Sequence, residues 1–170
     1  YLYNFAEKSS DKIVSGVKGF PAWINDSVVV YSKINIVDKY GSKFFDLYEY
    51  NLNTKNENQL TYGKRLYSPA YDSVSNKIVA INQYDGTSNI VIADYSDSLE
   101  FNQLTTNDNG FQMFKLNWFN ESIIYDGVSK HGRNIYTLDM NGTNNIKKKQ
   151  LTDERDPNYN ENQNILIWSE

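Results

Sequence analysis

Side chains able to do covalent or acid–base chemistry are sparse in this chain. It holds one histidine, His131, and no cysteine, which excludes disulfides, catalytic thiols and thiolate metal sites. His131 sits in a glycine loop, His131-Gly132-Arg133, and reads as a turn residue rather than a general base or metal ligand. Nucleophilic hydrolases of the α/β type need Gly-x-Ser-x-Gly on a strained elbow. The nearest string, Gly127-Val128-Ser129-Lys130-His131, lacks the final glycine and falls in an expected hairpin. Asp153 and Glu154 are adjacent, and adjacency alone does not set a general acid opposite a base. Histidine metal pairs, phosphate-cradling glycine loops and EF-hand spacing do not occur. The expectation is therefore no metal, no cofactor and no enzymatic activity in this chain. Recognition is the chemistry that remains, through Arg65, Tyr67, Tyr84, Asp85, His131, Arg133 and Arg155, because arginine and tyrosine are enriched where interfaces concentrate their energy. Whether these residues act together depends on the elements that carry them.

Composition describes a globular chain. Hydrophobic residues make up 39%, charged residues 22% and aromatics 15%, unlike the weakly hydrophobic, highly charged composition of disorder. The 14 tyrosines lean towards β structure, where aromatic side chains fit a half-buried pleated surface. A net charge of −4 and a pI near 5.1 argue against a surface that tracks phosphates, so nucleic acid is not an expected partner. Lys147-Lys148-Lys149 is the one basic run and reads as a solvated strand margin. No apolar run approaches the roughly 18 residues of a membrane span, so membrane insertion is not expected. The absence of cysteine does not settle the compartment, and the N-terminus Tyr1-Leu2-Tyr3-Asn4-Phe5 lacks the form of a signal peptide.

The sequence repeats. Trp23, Tyr71 and Trp118 recur at spacings of 48 and 47 residues, with prolines two positions before the first two and a shortened copy at Pro157 and Tyr159. A polar turn and a β-branched run follow each aromatic: Val28-Val29-Val30-Tyr31, Ile78-Val79-Ala80-Ile81, Ile123-Ile124-Tyr125 and Ile165-Leu166-Ile167-Trp168. Such short apolar runs bounded by turn formers are strands. A glycine loop comes next at Gly41, Gly86 and Gly132, then a third strand expected at Leu47 to Leu52, Ile90 to Tyr95 and Ile135 to Met140. Each copy closes on Gln-Leu-Thr, at 59–61, 103–105 and 150–152. Almost no helix is expected, since Gly, Asn and Asp interrupt every long window. Four short antiparallel strands at a period of about 45 residues match a β-propeller blade better than a β-sandwich. The expected fold is an all-β propeller with three complete blades, at about 17–62, 63–106 and 107–152, and partial blades at 1–16 and 153–170.

These units resemble the WD40-like propeller repeat of the TolB family. The matching pieces are Pro21-Ala22-Trp23, Pro69-Ala70-Tyr71, Asp85-Gly86, Ile135-Tyr136-Thr137-Leu138-Asp139 and the three Leu-Thr pairs. The family's Ser-Pro-Asp-Gly turn is replaced by Ile24-Asn25-Asp26-Ser27, Asp72-Ser73-Val74-Ser75-Asn76 and Phe119-Asn120-Glu121-Ser122, which marks a divergent branch. The resemblance implies a non-enzymatic protein-interaction domain of a larger bacterial protein, exported or periplasmic. The repeat is also similar to the propellers of prolyl oligopeptidase-like and tricorn-like peptidases, which implies the alternative of an accessory, substrate-gating propeller whose catalytic domain lies elsewhere. A carbohydrate or small-ligand lectin is a third reading, for which the sequence offers no specific feature.

The missing initiator methionine and the abrupt end at Glu170 lead us to expect a piece of a larger propeller. The other arrangement open to the sequence pairs Tyr1 to Val14 with Asn158 to Trp168 as a fourth blade. Open blade edges are expected to favour self-association. In a propeller the loops joining strand four to strand one, and strand two to strand three, emerge on one face. On that face the repeat register puts Arg65, Tyr67, Tyr84, Asp85, His131, Arg133 and Arg155, as a binding surface for a protein or peptide.

Overall fold

Asn, Asp or Gly occupies the turns after the first and second strands at 25–27, 72–76, 85–86 and 119–122, and β-branched runs fill the second strands. In the computed structural model the described residues are 1–169 apart from 37, 97, 131, 144, 151–154 and 161–164, with side chains described up to Ile146. Every element among them is a strand. β1 (Leu2–Asn4) and β2 (Ser9–Asp11) form a two-stranded sheet. β3 (Val17–Asn25), β4 (Val28–Ile36), β5 (Lys43–Asn51) and β6 (Asn56–Gln59) form a four-stranded sheet in chain order. The pattern repeats in β7 (Leu66–Asp72), β8 (Lys77–Tyr84), β9 (Thr87–Asp94) and β10 (Asn102–Gln103), and again in β11 (Gln112–Phe119), β12 (Ser122–Ser129), β13 (Gly132–Asp139) and β14 (Ile146–Gln150). β15 (Arg155–Asn160) and β16 (Ile165–Ser169) make a second two-stranded sheet. All pairs are antiparallel. No ladder among the described residues joins β1–β2 to β15–β16, and residues 161–164, within the expected Asn158 to Trp168 partner of Tyr1 to Val14, lie outside the described residues.

The middle four-stranded sheet, β7–β10, is buried on both faces by its neighbours, which explains the unbroken apolar run of its second strand. Ile78, Val79, Ala80 and Ile81 are all fully buried. Alternate members point opposite ways: Val79 and Ile81 pack with Met113 and Trp118 of the following sheet, while Ile78 and Ala80 pack with Val30 and Leu47 of the preceding one. The period of two therefore separates two cores rather than a core from solvent. Trp118, between two complete sheets, is 5% exposed, whereas Trp23, which faces the two-stranded β1–β2 sheet, is 50% exposed.

The first strands begin earlier than the sequence suggests. Pro21 and Pro69 do not open their strands; they lie within β3 and β7, in bulges that recur between Lys18 and Ala22, Tyr67 and Ala70, and Met113 and Leu116. First strands are sheet edges, the position where proline's missing N–H does least harm. The three adjoin one another and enclose a cleft lined by Phe20, Pro21, Pro69 and Lys115.

The third strands also begin earlier, and one recurring contact explains why. Asp46, Asn89 and Asn134 each precede the run expected as a strand, yet all three lie inside β5, β9 and β13. In the first sheet the Thr61 hydroxyl accepts the Leu47 N–H at 2.9 Å and donates to Asp46 Oδ1 at 3.0 Å. The Gly63 and Lys64 amides donate to the same carboxylate at 2.8 and 2.9 Å. In the next sheet the Thr105 hydroxyl accepts from Ile90 N–H at 2.9 Å and donates to Asn89 Oδ1 at 3.1 Å, with Asn107 N–H adding a bond of 2.7 Å. Gln59 and Gln103 close the same corner by donating to the Thr61 and Thr105 carbonyls. The Gln-Leu-Thr triplet is thus a latch that ends the outer strand and hands the chain to the next sheet. In the third copy Asn134 holds the equivalent register, and Thr152 lies outside the described residues.

Thr61→Val keeps the shape and removes the hydroxyl, leaving the Leu47 amide and one Asp46 oxygen without it. We expect a loss of about 1–3 kcal/mol in urea unfolding, with Thr105→Val similar. The exposed turn residue Thr54 should tolerate valine within about 0.5 kcal/mol. Equal, negligible effects at all three positions would refute the latch.

Candidate functional site

First and third strands start on the same face of every sheet, so the turns between second and third strands meet the loops entering the next sheet there. Between β5 and β7 this juxtaposition forms a recess of about 300 Å³, lined by Lys43, Phe44, Arg65, Tyr67, Asp85 and Gly86 among others. The turn at its rim, Asp85-Gly86, has φ of 45° and 71°, the doubly positive form that two-residue hairpins favour.

Arg65 is the central side chain. The latch pins the loop before it, since the Gly63 and Lys64 amides are bound to Asp46. Arg65 itself is held at φ 57°, a conformation that costs a non-glycine residue roughly 1–2 kcal/mol. Its carbonyl accepts the Gln83 N–H at 3.1 Å. The guanidinium carbon lies 3.9 Å from the centre of the Phe44 ring and 5.1 Å from that of Tyr84. The ring faces attract the cation, and a guanidinium carries its donor fork in its own plane. Among the described residues Arg65 has no ion-pair or side-chain hydrogen-bond partner, although Asp85 lines the same recess.

The other expected residues divide. Tyr84 is 61% exposed and, with exposed Asp85, stands where the repeat register puts it. Tyr67 does not stand on the loop; it lies in β7, 5% exposed, and donates from its hydroxyl to the Met113 carbonyl at 2.7 Å. Burial pushes its phenol above the ordinary range, against a smaller lowering by the Ser88 bond. Its ring is floor to the recess rather than a contact at its rim, because the bulge brings β7 up to Leu66. Arg133 is already engaged: its Nε donates to Asp126 Oδ2 at 3.0 Å, its Nη2 also reaches that oxygen, and its guanidinium lies 4.7 Å from the Phe114 ring centre. Asp126 is fully buried and accepts the bulged Phe114 and Lys115 amides at 3.2 and 2.8 Å. His131 and the Arg155 side chain lie outside the described residues.

Three contributors were not singled out from sequence. Phe44 supplies the stacking surface, and Lys43 beside it is exposed. Lys18 sits at the start of β3 with its ammonium 4.6 Å from the Phe45 ring centre and 4.8 Å from that of Tyr67. The signal for all three was strand-start register, obscured because β3 and β5 begin before the residues taken as their entries. No group of three or more potential metal-binding side chains occurs among the described residues.

No protein-family model matches the chain, and no curated protein matches it. Solved structures do. A putative TolB from Agrobacterium tumefaciens is 17% identical with a TM-score of 0.61, covering 79% of this chain and 50% of its own. A structure of a nidogen/laminin complex is 15% identical with a TM-score of 0.72, covering 89% and 56%. TolB from Acinetobacter baumannii is 14% identical with a TM-score of 0.66, covering 92% and 39%. The chain therefore spans between two fifths and somewhat over half of these structures. Enzymes stand among the matches as well, including an oligogalacturonate lyase and an acylaminoacyl peptidase. At these identities the likeness shows the fold alone, and that fold is the β-propeller, with the four-stranded sheets as blades.

Arg133→Ala would leave the buried Asp126 carboxylate without its cation. Breaking such a pair costs about 3–5 kcal/mol, so thermal unfolding should occur well below that of the unaltered chain. An Arg133→Ala variant of unchanged stability would return Arg133 to the set of free binding residues.

Proposed function

We propose that the chain belongs to a non-enzymatic β-propeller domain of a larger, exported protein, and that it captures a protein or peptide on the face bearing Arg65, Tyr84 and Asp85. The observation that carries this reading is Arg65 itself. A guanidinium on a strained backbone, set over the Phe44 ring and without an acceptor among the described residues, is prepared for a group from outside the chain. Tyr84 beside it offers a rigid amphipathic contact of the kind common at interface hot spots. The TolB-like repeat supports the exported, interacting reading, and one of the matched structures is that of a protein complex, nidogen with laminin.

The peptidase match favours a second reading, in which the same face controls access to a catalytic domain outside residues 1–170. The two differ in what contacts the face, a separate protein or another domain of the same polypeptide.

A photo-cross-linking amino acid placed at Tyr84 should form a partner adduct in cells of the source organism. The same probe at Glu121, in a turn at the opposite strand ends, should not. Adducts of equal yield from both positions, or from Glu121 alone, would contradict the assignment of the binding face.

A further inference from the structure

Charge is unevenly distributed along the propeller's axis, and the distribution identifies a class of partner. The chain as a whole is acidic, at −4. On the face of the candidate site, however, Lys18, Lys43 and Arg65 converge around Phe44, Phe45 and Tyr67, and exposed Lys64 precedes Arg65 in the chain. None of the four has an ion-pair partner among the described residues. Acidic groups described on that face are mostly engaged: Asp46 is held by the Thr61 hydroxyl and the Gly63 and Lys64 amides, Asp126 by Arg133 and two amides, and Asp38 accepts the Tyr40 and Ser42 amides. Asp85 and Asp108 remain. At the opposite strand ends the balance reverses, with a recess of about 460 Å³ lined by Asp26 and Asp72, with Glu121 in the turn between β11 and β12 and with Asp139 at the end of β13.

We infer that the recess at Arg65 binds an acidic peptide segment, with an Asp or Glu carboxylate of the partner taken by the Arg65 donor fork and flanking carboxylates by Lys18 and Lys43. This rests on the reading of this face as a protein-binding surface and names the chemistry of the partner. A planar guanidinium presents paired N–H groups at the spacing of a carboxylate, and the bidentate pair is stronger than a neutral hydrogen bond. The aromatic walls lower the local polarity around it, while the lysines supply longer-range attraction that steers an acidic chain to this face. Asp85, which lines the same recess, would discourage a second acidic group beside it and so set the direction of the bound segment.

The full chain can be tested by fluorescence anisotropy with an octaglutamate peptide, labelled and C-terminally amidated so that only side-chain carboxylates contribute. Binding should be measurable at low salt and fall at least about tenfold at roughly 0.5 M salt, where the Debye length is a few ångströms. Arg65→Gln should weaken it by about tenfold or more. Lys43→Gln, at an exposed side chain, should weaken it about twofold to fivefold; should Arg65→Gln fail to fold, this variant still decides the question. Octalysine should not bind. Absence of octaglutamate binding, or binding unaffected by both substitutions, overturns the inference; so does an oligothymidylate of equal charge that binds as tightly, which would assign the site to phosphate. Adducts formed from Tyr84 but not from Glu121, together with no octaglutamate binding, would leave the binding face in place and remove only the acidic partner.

Discussion

A threonine hydroxyl that bridges a third-strand side chain and a third-strand amide holds this molecule in order. At Thr61 and Thr105 the same three-way contact ends the outer strand and turns the chain towards the next blade. Outer strands here are short, only Asn56–Gln59 and Asn102–Gln103, and offer too few ladder bonds to define the end of a blade. The latch supplies that definition through charge-assisted and buried hydrogen bonds, which lose most when a partner is missing. In the first copy the acceptor is a fully buried carboxylate, and the loop that leads into the next blade is tied to it by two amides.

That tie links the repeat to the candidate site. Because Gly63 and Lys64 are fixed on Asp46, Arg65 enters β7 in a left-handed conformation and meets the Phe44 ring. Phe44 is two residues before Asp46, so the latch acceptor and the stacking surface belong to one strand. Packing completes the frame: the cores on both sides of the middle blade leave its strand starts little freedom, and the buried Tyr67 hydroxyl ties β7 to β11 through the Met113 carbonyl. The recess is assembled by contacts that also hold the blades together.

Much of this was legible in the residues and some was not, for identifiable reasons. The repeated β-branched runs gave the second strands, because burial on both faces demands uninterrupted apolar residues. Gln-Leu-Thr was visible as a period but not as a mechanism. The third strands were started too late since Asp46, Asn89 and Asn134 belong to types disfavoured in strands; their placement inside strands is what the latch requires. Tyr67 was assigned to a loop because Pro69 looked like a strand entry, whereas the bulge places proline within an edge strand. Arg133 could not be told from Arg65 by type or spacing. The difference lies in Asp126, buried within β12 and within reach of one arginine.

The latch, by fixing the loop at 63–64, positions Arg65 on Phe44. The most direct test of that positioning is the proton chemical shift of the Arg65 Nε–H in solution, which ring currents from Phe44 should displace from its random-coil value. In Asp46→Ala, with folding confirmed by the dispersion of amide signals from β8 and β12, the account predicts that this displacement collapses. An Arg65 signal that keeps its displacement in a folded Asp46→Ala protein would contradict the claim.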